Sequence, residues 1–197
     1  MYKSVDKGNS WSKIVSEVIY GSSIVSFSEN YPDVIYVATG DNGDLIKSMN
    51  NGQTWEKTGL NGSGLQIYDF IEINSTDSMI ALLDHYISDE FDVDYGVVLS
   101  VDGGETWNKC NNGLPLDSLF IPHQIVYNEF NQTFYLSLTL GNGGETRLYQ
   151  LFNGSDEWEF VYRWVRSNSS INGALSIPPN GKYIYFGNLG LYNKRIF

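Results

Sequence analysis

The sequence predicts an all-β fold: a β-propeller of four-stranded antiparallel blades, about four of them, forming one domain over residues 1–197 or a section of a larger propeller. Two observations carry this. An octapeptide recurs as SVDKGNSW (Ser4 to Trp11), SMNNGQTW (Ser48 to Trp55) and SVDGGETW (Ser100 to Trp107), with a degenerate copy, LFNGSDEW (Leu151 to Trp158). The tryptophans that close it, four of the five in the chain, recur every 44 to 52 residues, about one small sheet apart. Around every copy, short β-rich runs alternate with Gly/Asn turns, and no segment keeps a helical period.

Taken in chain order, the first complete unit places strands at about 23–28, 34–39, 44–48 and 54–58, as in VIYVAT followed by DLIKS. The second places them at 67–73, 79–84, 96–100 and 106–110, and the third at 120–127, 133–139, 146–151 and 157–165. The tail supplies three more near 173–177, 183–187 and 190–196.

The SxDxGxTW pattern resembles the Asp box, or BNR repeat, of β-propellers, found in sialidases, xyloglucan-cleaving glycoside hydrolases, sortilin-type receptors and photosystem assembly factors. The resemblance covers the whole chain and implies that each box sits on the hairpin between third and fourth strands. Physically, Asp6, Asn50, Asp102 and Asn153 are suited to cap a tight turn by accepting backbone N–H bonds, and Gly8, Gly52 and Gly104 permit a positive φ. Trp11, Trp55, Trp107 and Trp158 are expected to bury aromatic area between blades. Met1–Ser4 then reads as a third strand without first or second strands, while the segment from Ala174 to Phe197 lacks a fourth. The two ends are expected to pair into one mixed blade, giving a monomer with a closed ring or a homodimer that shares one.

The chain is 42% apolar, 15% aromatic and 18% charged, a globular composition. Twelve Lys and Arg against 23 Asp and Glu give a net charge of -11, which repels phosphate backbones and anionic membranes. The expected partner is therefore a glycan or a protein or peptide ligand, with no nucleic acid and no membrane insertion. Cys110, the single cysteine, excludes an intrachain disulfide and a Cys-cluster metal site. Asn-X-Ser/Thr sequons at Asn61, Asn74, Asn131, Asn153 and Asn168 point to an extracellular or cell-surface location, and the sequence begins without a signal peptide.

In antiparallel blades the boxes share a face with the turns between first and second strands, and the opposite face is expected to carry function. There the connection between the second and third strands of the second blade is unusually long. It gathers Asp84, His85, Tyr86, Asp89, Glu90, Asp92, Asp94 and Tyr95, the candidate ligand-binding residues. Three readings apply: a Ca²⁺ site at Asp89, Asp92 and Asp94, a glycan-binding or hydrolysing pair of carboxylates, or a solvated acidic loop. Beyond that Ca²⁺ no cofactor is expected.

No complete catalytic set accompanies these residues. A sialidase-type site needs clustered arginines, yet the chain holds only Arg147, Arg163, Arg166 and Arg195. GDNGD, with Asp41 and Asp44, is only a loose relative of the aspartate setting in xyloglucan hydrolases and reads instead as an ordinary Gly/Asn hairpin turn. His123 reads as a satisfied core or channel histidine and Cys110 as an inert buried thiol. The function expected is a non-catalytic binding or assembly module, with a glycoside hydrolase, xyloglucanase- or sialidase-like, or a fragment of one as the alternative.

Overall fold

A computed structural model describes residues 1–14, 24–28, 31–38, 44–60, 66–73, 77–83, 96–115, 120–141, 145–165 and 174–187. Among them there is no helix. A two-stranded hairpin, β1 (Tyr2–Lys3) and β2 (Ser12–Lys13), precedes three complete sheets. The first holds β3 (Ile24–Phe27), β4 (Ile35–Ala38), β5 (Leu45–Ser48) and β6 (Glu56–Lys57), and the second β7 (Ile67–Ile73), β8 (Ser78–Leu83), β9 (Val97–Ser100) and β10 (Asn108–Lys109). The third holds β11 (Phe120–Asn128), β12 (Thr133–Leu140), β13 (Glu145–Phe152) and β14 (Glu159–Val165). A last pair, β15 (Ala174–Ser176) and β16 (Tyr185–Gly187), completes the described strands. Every pairing is antiparallel and follows chain order, as the repeat spacing predicts. With three whole sheets and two halves, about four blades are present, and the fold is an all-β propeller.

The first strands, β3, β7, β11 and β15, lie side by side from blade to blade. The second strands carry near-continuous apolar runs because both of their faces are covered: all four residues of β4 are buried, and β8 and β12 are buried along almost their whole length. The core is accordingly a series of layers between blades. Tyr36, Leu45, Phe70, Met79 and Leu83 fill the first, and Leu82, Val97, Phe120, Leu136, Tyr149 and Trp158 the second. Tyr135, Leu148, Leu175 and Phe186 fill the third, where Trp164 stacks on Phe186 at 3.9 Å.

Three octapeptide hairpins share one hydrogen-bond plan. The hydroxyls of Ser4, Ser48 and Ser100 accept the N–H of Gly8, Gly52 and Gly104 at 2.7, 2.8 and 2.9 Å. Oδ1 of Asp6, Asn50 and Asp102 accepts the N–H of Ser10, Thr54 and Thr106 at 2.8, 2.8 and 2.9 Å, and each indole N–H returns to the glycine carbonyl. Ser10 and Thr106 donate their hydroxyls to the aspartates at 2.6 Å, whereas the Asn50 amide donates to Thr54, so the polarity of that one bond is reversed. These donors hold the Asp6 and Asp102 carboxyls down at about 2. The chain turns through two consecutive positive φ angles, at Lys7 and Gly8 (59° and 90°), Asn51 and Gly52 (57° and 85°), and Gly103 and Gly104 (71° and 90°). Only the third copy has glycine at both positions.

The fourth copy departs from the plan. There the Ser155 hydroxyl accepts the turn N–H of Glu157, in place of the expected Asn153 cap, and the Trp158 indole N–H donates to the Cys110 carbonyl in the neighbouring blade at 2.8 Å. The expectation for the tryptophans also needs correction. Trp158 is 2% exposed, Trp55 and Trp107 are half-buried, and Trp11 is 64% exposed; Trp107 and Trp158 pack on the blade before their own, whereas no described blade stands before Trp11.

Successive blades are locked backbone to backbone. The Gly59 N–H, just past β6, donates to the Gly104 carbonyl of the next hairpin at 2.8 Å, and a Cβ built on Gly59 would stand 1.9 Å from the Glu105 carbonyl oxygen. One blade on, the Trp158 N–H donates to the Asn112 carbonyl at 2.8 Å, and a Cβ on Gly113 would lie 2.1 Å from the Trp158 carbonyl oxygen. The expected mixed blade is not formed by the described residues, in which β1–β2 and β15–β16 are separate sheets; the strand foreseen near 190–196 lies outside them.

Burial orders the cost of truncating the indoles. Trp158→Ala should cost about 3–5 kcal/mol, Trp107→Ala less, and Trp11→Ala under about 1 kcal/mol, in urea unfolding followed by far-UV circular dichroism. Gly59→Ala should cost on the order of 3 kcal/mol or more by parting two blades; a Gly59→Ala protein as stable as the wild type would disprove the lock.

Candidate functional site

The loop from Asp84 to Tyr95 lies outside the described residues, and with it every ligand-binding candidate and the Ca²⁺ set Asp89, Asp92 and Asp94. The other connections on that face fall largely outside as well. Among the described residues no group of three or more His, Cys, Asp or Glu is placed to hold a metal ion. Of GDNGD, only Asp44 is described, and it pairs with Lys57 at 3.1 Å as a strand-to-strand ion pair.

The remaining candidates resolve into structural roles. His123 is the extra residue of a bulge in β11, and its Nε2 lies 2.7 Å from the Thr139 hydroxyl, itself 3.0 Å from that of Thr146. Burial pushes its pKa below the usual histidine value, so it is a neutral, hydrogen-bonded ring. Burial likewise pushes the Cys110 thiol up, away from the nucleophilic form. Arg147 and Arg163 stand opposite each other in the β13–β14 register and both pair with Glu145, while Arg147 also donates to the Tyr149 hydroxyl.

A site the sequence reading did not anticipate opens on the face of the octapeptide hairpins. That face is fixed by bonds from each hairpin to the turn between first and second strands of its own blade: Asn51 to Asp33, Gly103 to Asp77 and Asn153 to Gln132. Here the ends of β3, β7 and β11 and the turn after β15 enclose a cleft of about 470 Å³. Phe27, Glu72 and Tyr127 occupy equivalent register positions in the inner strands of the three complete sheets, and together with Ile177, just past β15, they line it. Asn128, Glu129 and Phe130 extend the wall from the β11–β12 turn.

The cleft combines apolar rings with carboxylates. Phe27 is 63% exposed and Phe130 74%, a large apolar exposure for side chains in a concavity. The Glu72 charge acts together with burial to push the Tyr36 hydroxyl up to about 12, and burial and Glu129 raise Tyr127. Among the described residues that line the cleft there are two carboxylates and no Lys or Arg, a lining that suits a neutral or cationic ligand. Phe130 is held in place: its N–H donates to Asn128 Oδ1 at 3.0 Å, Asn128 Nδ2 donates to the Gly181 carbonyl at 2.9 Å, and a Cβ on Gly181 would lie 2.4 Å from Phe130 Cβ.

Deeper along the same inner strands, side chains next to the bulges stitch the blades together. Asp69 follows the bulge in β7 and accepts the Ile125 N–H of β11 at 3.0 Å; one blade on, Gln124 accepts the Leu175 N–H of β15 at 2.6 Å. Desolvation outweighs the two N–H bonds on the Asp69 carboxyl and raises its pKa to about 6.

No family model matches the chain, and no curated protein matches it in sequence. Solved structures match it in fold. A GH74 enzyme from Niastella koreensis superposes with a TM-score of 0.68 at 22% identity, over 94% of this chain and 29% of that one. The GH74 xyloglucanase from Xanthomonas campestris gives 0.64 at 12% identity, over 83% and 26%. The NanB sialidase from Streptococcus pneumoniae gives 0.52 at 16% identity, over 94% and 32%. The chain thus spans about a quarter to a third of the length of these proteins, and the shared feature is the propeller fold.

Asp69 sets a pH dependence. Between the unfolded value near 3.8 and the folded value of about 6 the native state holds a proton that the unfolded chain has released, so stability falls as pH rises across that window, by roughly 3 kcal/mol, and levels off above it. Asp6 and Asp102 act with the opposite sign: their contribution is present above 3.8 and is lost as pH falls toward 2. Thermal melts from pH 3 to 8 should therefore peak near pH 4, and Asp69→Asn should flatten the decline between pH 4 and 6. An unchanged decline in that variant would assign it elsewhere.

Proposed function

We propose that this chain is a section of a glycan-acting propeller of the Asp-box class and that its axial cleft holds a neutral glycan. The observation that carries this reading is the cleft itself, where the exposed rings of Phe27 and Phe130 stand beside Glu72, Glu129 and Asn128. Flat apolar rings take the C–H face of a pyranose and the flanking carboxylates and amide take its hydroxyls, the mix of apolar wall and few polar groups usual in ligand sites. The fold likeness to a xyloglucanase supports a glycan over a peptide, and the two carboxylates of the lining disfavour a sialylated one. An extracellular or cell-surface location goes with this reading, since polysaccharides are met there.

The same cleft is the place to look for hydrolysis, which uses two carboxyl groups about the scissile bond. Glu72 and Glu129 supply that group type from neighbouring blades.

Affinity electrophoresis in gels containing xyloglucan tests the reading. The wild-type chain should be retarded, and Phe130→Ala should reduce the retardation at least about tenfold in apparent affinity while leaving thermal stability nearly unchanged. Absence of retardation, or full retardation of a Phe27→Ala/Phe130→Ala double variant, would refute it. In parallel, release of reducing ends that is lost on Glu72→Gln or Glu129→Gln would add catalysis to binding.

A further inference from the structure

A second, smaller cleft of about 190 Å³ lies between the third and fourth blades on the same face. It shares Asn128 and Gly181 with the axial cleft, so the two adjoin across the Asn128–Gly181 hydrogen bond. Phe130 stands on that junction, anchored through Asn128 and pressed on Gly181, with most of its ring in solvent. Resting on the glycan reading above, we infer that the smaller cleft is an outer subsite, and that the ligand is a linear chain that crosses Phe130 with units on both sides, not a single sugar.

The chemistry of the outer cleft fits this assignment. Its rim carries Asn131, Gln150, Lys182 and Tyr183 over a floor of Leu148 and Val161. The Asn131 amide donates to the Tyr135 hydroxyl at 3.1 Å and the Gln150 amide to Glu159 at 3.0 Å, which fixes both side chains and leaves Oδ1 and Oε1 to accept sugar hydroxyls. Tyr183 adds a partly exposed ring beside them. Held polar groups cost little entropy on binding, whereas Phe130 alone gives no directionality. An aromatic platform flanked by one larger and one smaller polar hollow selects for length. A monosaccharide fills one side of the platform only.

Titration calorimetry with xyloglucan oligosaccharides of one, two and three repeat units, on the full chain, tests the assignment. Affinity should rise at least about tenfold from the shortest to the longest. Gln150→Ala and Tyr183→Ala should each remove most of that gain while leaving the affinity for the shortest oligosaccharide unchanged, and Phe130→Ala should weaken all three. A gain that survives both rim substitutions, or an affinity independent of length, would overturn the outer subsite and leave the axial glycan site standing. If none of the oligosaccharides binds, the glycan reading falls and the subsite with it.

Discussion

The fold depends on a contact in which no side chain can intervene. Where the chain leaves a fourth strand it must press its backbone against the octapeptide hairpin of the following blade, and the spacing leaves no room for a Cβ at Gly59 or at Gly113. A bond such as Gly59 N–H to the Gly104 carbonyl sets the distance between two blades to within a hydrogen bond, and the apolar layers then fill the space that distance defines. The hairpins are built to receive this contact. In the third copy serine, Asx and glycine satisfy the turn internally and the Gly104 carbonyl accepts from the neighbour, whereas the fourth copy meets its neighbour through the Trp158 N–H, which donates to the Asn112 carbonyl.

That arrangement explains why the repeat says so little about chemistry. The octapeptide works on its own turn and on its neighbour, and its aspartates are occupied by Ser10 and Thr106. The side chains that line the cleft sit at the ends of the inner strands and in the turns beyond them, outside the octapeptides. Phe27, Glu72 and Tyr127 share one register position in their sheets and have little in common as residue types, as expected where a scaffold carries a site.

The strands and their order were legible in the sequence because period-two alternation and Gly/Asn turns are local signals, and every strand of the three complete sheets lies within a residue or two of its expected place. Burial of the tryptophans was not legible, since it is set by what the neighbouring blade packs on each indole, which the octapeptide does not encode. The axial cleft was hidden for a related reason: its wall comes from four segments far apart in sequence, and bulges at Tyr68 and His123 shift which side chains face inward. Aligning the inner strands of the three complete sheets on their second-strand partners would have brought Phe27, Glu72 and Tyr127 into one column. The acidic loop that the sequence favoured lies outside the described residues, so its chemistry stands as an expectation.

The graded surroundings of the four hairpin indoles make the molecule its own reporter. Stacked repeats that touch only their neighbours can come apart from one end, and each end here carries a different chromophore. Loss of the N-terminal β1–β2 hairpin would move Trp11 hardly at all, since it is already in water, and would first register through Trp55, whose neighbour Gly52 lies beside the Ile14 side chain. Loss of the contact between the second and third blades would carry Trp158 from a dry layer into solvent, with a large red shift in its emission. The wavelength at which the fluorescence begins to change thus encodes the end from which the row of blades comes apart.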